Sequence, residues 1–262
     1  MSIDAYLLSR RARVLRLEGE ALRDDVGVLQ SALLPDVPEQ VEGLAVSVGY
    51  RPAQGLAAGG DFYDVVPLSD GRVGIILGDV AGHGRDSVIH AALVRYTLRT
   101  LLGEGHALGE VLRRADHYLV SELEPNFATV IVAIYDPASG ELSYAKAGHE
   151  PPLISGVDTS GEESAPPLGI GLGDDWPEFR RRLEPDQAVC FYTDGLQEAR
   201  KDGALLGREH LATLLTQDPD AGALVENVWH EADVVADDMA AVTIRPVRAA
   251  ARLRRTTSPV LP

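Results

Sequence analysis

Asp61 in "GGDFYD", Asp79 in "LGDVAGHG", Asp194 in "CFYTDG" and the pair Asp237 and Asp238 in "VADDMAAVTI" share one feature. Each stands where an apolar, strand-like run begins or ends. A carboxylate at the mouth of a buried strand is costly unless it is paired or ligated. No lysine or arginine neighbours any of the four sites in the sequence. Strand ends on one side of a sheet converge even when they are far apart along the chain. Four carboxylates offering only hard oxygen donors suit Mg²⁺ or Mn²⁺, whereas zinc prefers histidine and cysteine. Two such ions, roughly 3.5–4 Å apart, would clamp a phosphoryl group and make a nucleophile of water. Taken singly, each aspartate reads equally well as a turn residue, because Asp beside Gly is a frequent turn pair. Spacing alone leaves both readings open.

Other chemistries fare worse. "GLAAGG" lacks the Lys-Ser/Thr of a phosphate-binding loop, and its neighbours read as strands. Cys190 sits in the apolar run "AVCFYTD", with no arginine in the loop that follows, and reads as a buried structural thiol. His83 and His149 each read as turn or core histidines before they read as general acids or phosphate contacts. No GxSxG elbow is present. The net charge of −16 argues against nucleic acid and acidic membrane surfaces, and favours a basic partner or a cation site. One cysteine rules out an internal disulfide and fits a reducing compartment. There is no signal-type apolar core at the start and no run approaching about 20 apolar residues. The expectation is a soluble, cytoplasmic protein.

The elements that must carry these residues follow from periodicity. Leu8, Leu15, Leu22 and Leu29 are spaced by seven, with Ala5, Ala12, Gly19, Val26 and Leu33 offset by four. This predicts one long helix ending before Pro35, either a short coiled coil or a helix lying on its own domain. Strands are predicted at 43–53, 61–68 and 72–80, and helices at 86–102 and 107–123. A hairpin turning at "PASG" is expected over 127–149, and a second over 178–195. Helices around 207–217 and 220–235 precede a last strand, "MAAVTIRP". Hairpins without βαβ alternation indicate an α+β fold, antiparallel sheets covered by helices. The expected layout is a helical segment at 1–35, one catalytic domain at 36–246, and a basic tail at 247–262 with four arginines and no acid.

The series "LQSALLPDVPEQVEGLAVSVGYRPA", "GGDFYD", "GDVAGHG", "FATVIVAIYDPASGELSYAKAGHEPPLI", "LEPDQAVCFYTDGLQEAR" and "DDMAAVTI" resembles the SpoIIE-like branch of the metal-dependent serine/threonine phosphatases, relatives of the type 2C enzymes. The resemblance runs over roughly residues 29–246, in the family's motif order. It implies an αββα sandwich and a pair of Mn²⁺ or Mg²⁺ ions. On it, Asp79 matches the bridging carboxylate, and the Val80 carbonyl the adjacent ligand. Asp61 matches the early acidic position, Asp194 the "TDG" ligand, and Asp237 the first residue of the final acidic pair. Asp238 occupies the second place of that pair and could share its role. Gly60, His83 and Gly84 are the expected substrate-side contacts.

There are departures from the wider pattern. Ala81 stands where type 2C enzymes carry a histidine, and His83 lies two residues further on. Glu150 replaces a frequent asparagine, and no arginine matches the phosphate-binding one. The resemblance implies hydrolysis of phosphoserine or phosphothreonine on an anti-anti-sigma-type STAS regulator in bacterial partner switching. It also implies an upstream regulator, and dimerisation or coupling through the N-terminal helix. A silent phosphatase-like module and a hydrolase of small phosphoesters are the alternatives.

Overall fold

The computed structural model describes residues 34–53, 59–82, 84–163, 165–173 and 175–247. The expected N-terminal helix and the basic tail beyond Val247 lie outside them.

Two five-stranded antiparallel sheets face one another. The first has the order β1 (Gln40–Val41), β2 (Leu44–Arg51), β12 (Met239–Pro246), β9 (Val189–Tyr192), β7 (Leu153–Ile154). The second has the order β3 (Phe62–Pro67), β4 (Val73–Val80), β5 (Ala128–Asp136), β6 (Glu141–Ala147), β8 (Glu178–Arg182). Helices α1 (Arg85–Gly103) and α2 (Leu108–Leu123) cover the second sheet. Helices α3 (Asp194–Glu198), α4 (Gly207–Gln217) and α5 (Ala221–Glu231) cover the first. A ribbon, β10 (Arg200–Lys201) with β11 (Ala204–Leu205), links α3 to α4. The expected α+β architecture, a sandwich of two antiparallel sheets flanked by helices, is the one found.

Strand β4 shows why the sequence folds this way. Ile75 and Leu77 enter the core between the sheets, meeting Phe191, Val242 and Ile244 of the first sheet. Ile76 and Val80 face the other way, onto Val94, Leu98, Val111 and Leu112 of α1 and α2. A strand covered on both faces reads as one apolar run, without the alternation of a half-exposed strand. Helix α5 packs Leu224, Val225 and Val228 on the outer face of the first sheet, against Met239 and Ala241. Asp220 caps it by accepting the Ala223 N–H at 2.8 Å.

Two expectations are corrected. The segment 178–195 is no hairpin. β8 pairs with β6 at the edge of the second sheet, while β9 lies inside the first, between β12 and β7. The turn between them crosses from one sheet to the other. Alternating apolarity announces strands but not their partners. The contents of the two strands do explain their places: "EFRRR" keeps charge at an exposed edge, and "VCFY" is buried throughout. The last helix stops at Glu231 rather than 235, because Val234 leaves it to bridge Arg200 of the ribbon. Among the described residues no helix is long and apolar enough to cross a membrane.

Candidate metal centre

The acidic strand ends meet at one end of the sandwich. Asp79 is the penultimate residue of β4, opposite Thr129 of β5. Asp194 follows β9 and opens α3. Asp237 lies two residues before β12. Each of the three offers a carboxylate oxygen within 4.8 Å of the other two. Asp79 is half-buried, while Asp194 and Asp237 are exposed, so the cluster opens to solvent.

Two further carboxylates back this cluster. Asp61 lies just ahead of β3 and is only 4% exposed. Its Oδ2 accepts the Thr193 hydroxyl at 2.7 Å. It is not one of the three carboxylates within 4.8 Å of one another, but Asp79 and Asp237 both act on its charge. Asp238 is buried, and its carboxylate accepts the Ala53 N–H at 2.8 Å and the Tyr50 hydroxyl at 3.3 Å. The structure thus separates the acidic pair: Asp237 joins the cluster, and Asp238 fastens the chain after β2. Asp237 also accepts the backbone N–H of Asp238 at 2.8 Å, which holds the two apart.

Glycines let the backbone close in. A Cβ on Gly60 would collide with the Val80 carbonyl oxygen and with Asp79 Oδ1, so these two oxygens bunch against the same residue. The Val80 N–H donates to the Gly60 carbonyl at 3.2 Å, locking the two loops together. A Cβ on Gly59 would strike the Asp238 carboxylate. Gly84 begins α1 with φ of 86°, a conformation suited to glycine. Its carbonyl accepts the Ser87 hydroxyl at 2.8 Å. His83 lies outside the described residues.

The electrostatics are those of uncompensated charge. Burial raises Asp79 to about 7, helped by Asp237, Asp194 and Asp238. Asp194, although its side chain reaches solvent, is desolvated enough by neighbouring atoms to rise to about 6, with Asp237 and Glu198 adding to it. Asp61 is held well above the usual carboxylate range by burial and then by Asp79 and Asp238, against the Thr193 hydrogen bond. Asp238 is raised by burial despite its two donors. Among the described residues no lysine or arginine is a significant charge on any of these four. An oxygen-only donor set without its own cation fits a hard divalent metal. The donors at hand are Asp79, Asp194 and Asp237, with the Val80 carbonyl beside them.

The other candidates resolve as structural. His149 is buried, its Nδ1 donates to the Glu150 carbonyl at 3.1 Å, and burial lowers it to about 4. Cys190 is fully buried, and burial pushes its thiol up to about 12, as the apolar surroundings in the sequence suggest.

Residues 69–247, more than half of the chain, match the family described as Stage II sporulation protein E (SpoIIE). The chain belongs to the SpoIIE family. Its curated relatives include Protein IcfG of Synechocystis, 27% identical over 235 residues, covering 78% of this chain and 36% of IcfG. Phosphoserine phosphatase RsbU of Bacillus subtilis is 26% identical over 232 residues, covering 86% of this chain and 68% of RsbU. The SpoIIE-family chain therefore spans about a third of one relative and about two thirds of the other. Among solved structures, the SiaA-PP2C domain of Pseudomonas aeruginosa superposes with a TM-score of 0.74 at 21% identity, covering 89% of this chain and 99% of that one. The RsbU and RsbW domains of a Mycobacterium tuberculosis protein give a TM-score of 0.66 at 30% identity, covering 79% and 61%. The fold of this SpoIIE-family chain is that of the type 2C phosphatases.

Sequence reasoning did not find Thr193, Tyr50 or Arg208. Arg208 donates to the carbonyls of Pro151 and Pro152, to Tyr192 and to Thr159, gripping the loop that follows His149. A hydroxyl inside "TDG" or an arginine in a helix carries no local sign of a partner brought to it by folding.

Proposed function

We propose that this chain is a metal-dependent protein phosphatase that hydrolyses phosphoserine or phosphothreonine. The observation that carries the proposal is the convergence of Asp79, Asp194 and Asp237 without a basic partner. When bound, a pair of Mn²⁺ or Mg²⁺ ions would offset phosphoryl charge and lower the pKa of water. In this reading Asp79, Asp194, Asp237 and the Val80 carbonyl would hold the ions. Asp61 would add a further carboxylate to the same centre, and Gly60 leaves room for the Val80 carbonyl and Asp79. Binding of a cation would favour the ionised form of these raised carboxylates. The shallow, open cluster accepts a side-chain phosphoester on a folded protein. In this reading water rather than a side chain attacks phosphorus, and Cys190 takes no part because it is buried in the first sheet.

The substrate we propose is a small phosphorylated anti-anti-sigma-type regulator with a STAS fold, in a partner-switching circuit. RsbU and RsbP are phosphoserine phosphatases by name, and the mycobacterial structure holds an RsbU domain and an RsbW domain. These relatives support the reading. The test is hydrolysis of an aryl phosphate and of a serine-phosphorylated STAS protein, with Mn²⁺ and with chelator, by the wild type and Asp79→Asn. Metal-dependent turnover lost in the variant supports the proposal. Turnover that survives either chelator or the substitution refutes it.

A further inference from the structure

One hydroxyl joins the two sheets at the cluster. Thr193 is fully buried and directly follows β9 of the first sheet. Its N–H donates to the Ala240 carbonyl at 3.0 Å, and its Oγ1 accepts the Ala240 N–H at 2.9 Å. Thr193 is thereby fastened to β12, three residues beyond Asp237, and is itself the residue before Asp194. The same Oγ1 lies 2.7 Å from Asp61 Oδ2, at the start of β3 in the second sheet. A hydroxyl has one hydrogen to give. With the Ala240 N–H on its lone pair, that hydrogen has two possible acceptors. Asp61 at 2.7 Å is close and charged when ionised, and the Ala240 carbonyl at 3.4 Å is distant and already served by the Thr193 N–H. The hydrogen therefore points across the sandwich to Asp61.

We infer that Thr193 is a positioning residue, which sets Asp61 and the second sheet in register with the ligands Asp194 and Asp237 of the first. The inference rests on the metal-centre reading above. Neither sheet by itself assembles the cluster: Asp79 comes from one, and Asp194 and Asp237 from the other. Packing of apolar side chains fixes the distance between sheets but tolerates sliding, whereas a charge-assisted hydrogen bond between fixed strand ends does not. Valine matches threonine in shape and leaves both Asp61 Oδ2 and the Ala240 N–H without that partner. Serine keeps the hydroxyl.

The experiment is calorimetric titration of Mn²⁺ into the full chain, for wild type, Thr193→Val and Thr193→Ser, with the melting temperature of each metal-free protein alongside. Thr193→Val is expected to bind Mn²⁺ about 10- to 100-fold more weakly, the usual cost of removing a partner that orients a ligand. Thr193→Ser is expected to recover affinity to within about threefold of the wild type, since the hydrogen bond and its direction persist. In an Asp61→Ala background, Thr193→Val should add no further loss, because the hydroxyl acts through that carboxylate. Wild-type affinity in Thr193→Val overturns the inference and leaves the metal centre standing, as do additive losses in the double variant. A wild type that binds no Mn²⁺ overturns both. Should Thr193→Val not fold, Thr193→Ala, which removes volume without placing a methyl against the carboxylate, answers the same question.

Discussion

Asp61 and Asp64 stand three residues apart in "DFYD", and both are buried, yet they are opposites. Asp64 is completely buried and faces α1, where Arg99 Nη1 donates to both its oxygens at 2.8 Å and Arg95 stands at 3.7 Å. Asp61 looks out on Asp79, Asp238 and Asp237, with one hydroxyl for support. The first has its countercharge built into the fold. The second is part of a group that lacks one. Buried charge that the protein itself neutralises is structure; buried charge that it leaves uncompensated marks the place for a cation from outside.

Substitutions break the comparison most sharply when made in parallel. Asp79→Asn should lower Mn²⁺-dependent aryl phosphate turnover by more than about 100-fold, beyond the range for an outer-shell partner. The metal-free variant should melt no lower than the wild type, because the change removes a repelling charge. Asp64→Asn should do the reverse. It strands the buried Arg95, and unfolding in urea should show about 3 kcal/mol lost, at the low end for a broken buried pair because Arg99 is half-exposed. Its Mn²⁺ affinity should be unchanged. A stability loss in Asp79→Asn equal to that in Asp64→Asn would dissolve the distinction.

Acidity sharpens it further. Asp79 and Asp194 titrate at about 7 and about 6 in the folded chain, above the ordinary 3.8. Between about pH 4 and 7 these two carboxylates hold more protons in the folded, metal-free protein than in the unfolded one, which lowers stability as pH rises, and His149, lowered to about 4, offsets this by at most one proton. With saturating Mn²⁺ the protons are displaced, and the stabilisation by metal should grow over the same range. Melting at pH 5 and pH 8, with chelator and with Mn²⁺, reads both slopes. A metal-free protein that gains stability from pH 5 to pH 8 would contradict the uncompensated cluster. The smallest effect is expected at Asp238. Tyr50→Phe removes one 3.3 Å hydrogen bond and should cost less than about 1 kcal/mol, with turnover retained.

Much of this was legible in the sequence, and for definite reasons. The apolar runs of β4 and β5 announced buried strands, the 3.6-residue pattern placed α1 and α2 within a residue or two, and "PASG" marked its hairpin. The aspartates at the run ends were suspicious because a charge beside a buried strand needs an explanation.

The sequence by itself determined the longer strands and helices of the described residues, and which carboxylates sit at strand ends. These depend on side-chain period and on the cost of burying charge, which are local properties. Only the tertiary structure decided that β8 and β9 belong to different sheets, that Asp237 and not Asp238 meets Asp79 and Asp194, and that Asp61 and Asp64 have opposite surroundings. Each of these depends on which groups the sheets and helices bring into contact. Thr193 and Asp61 lie 132 positions apart, and only the closing of one sheet on the other makes them a pair.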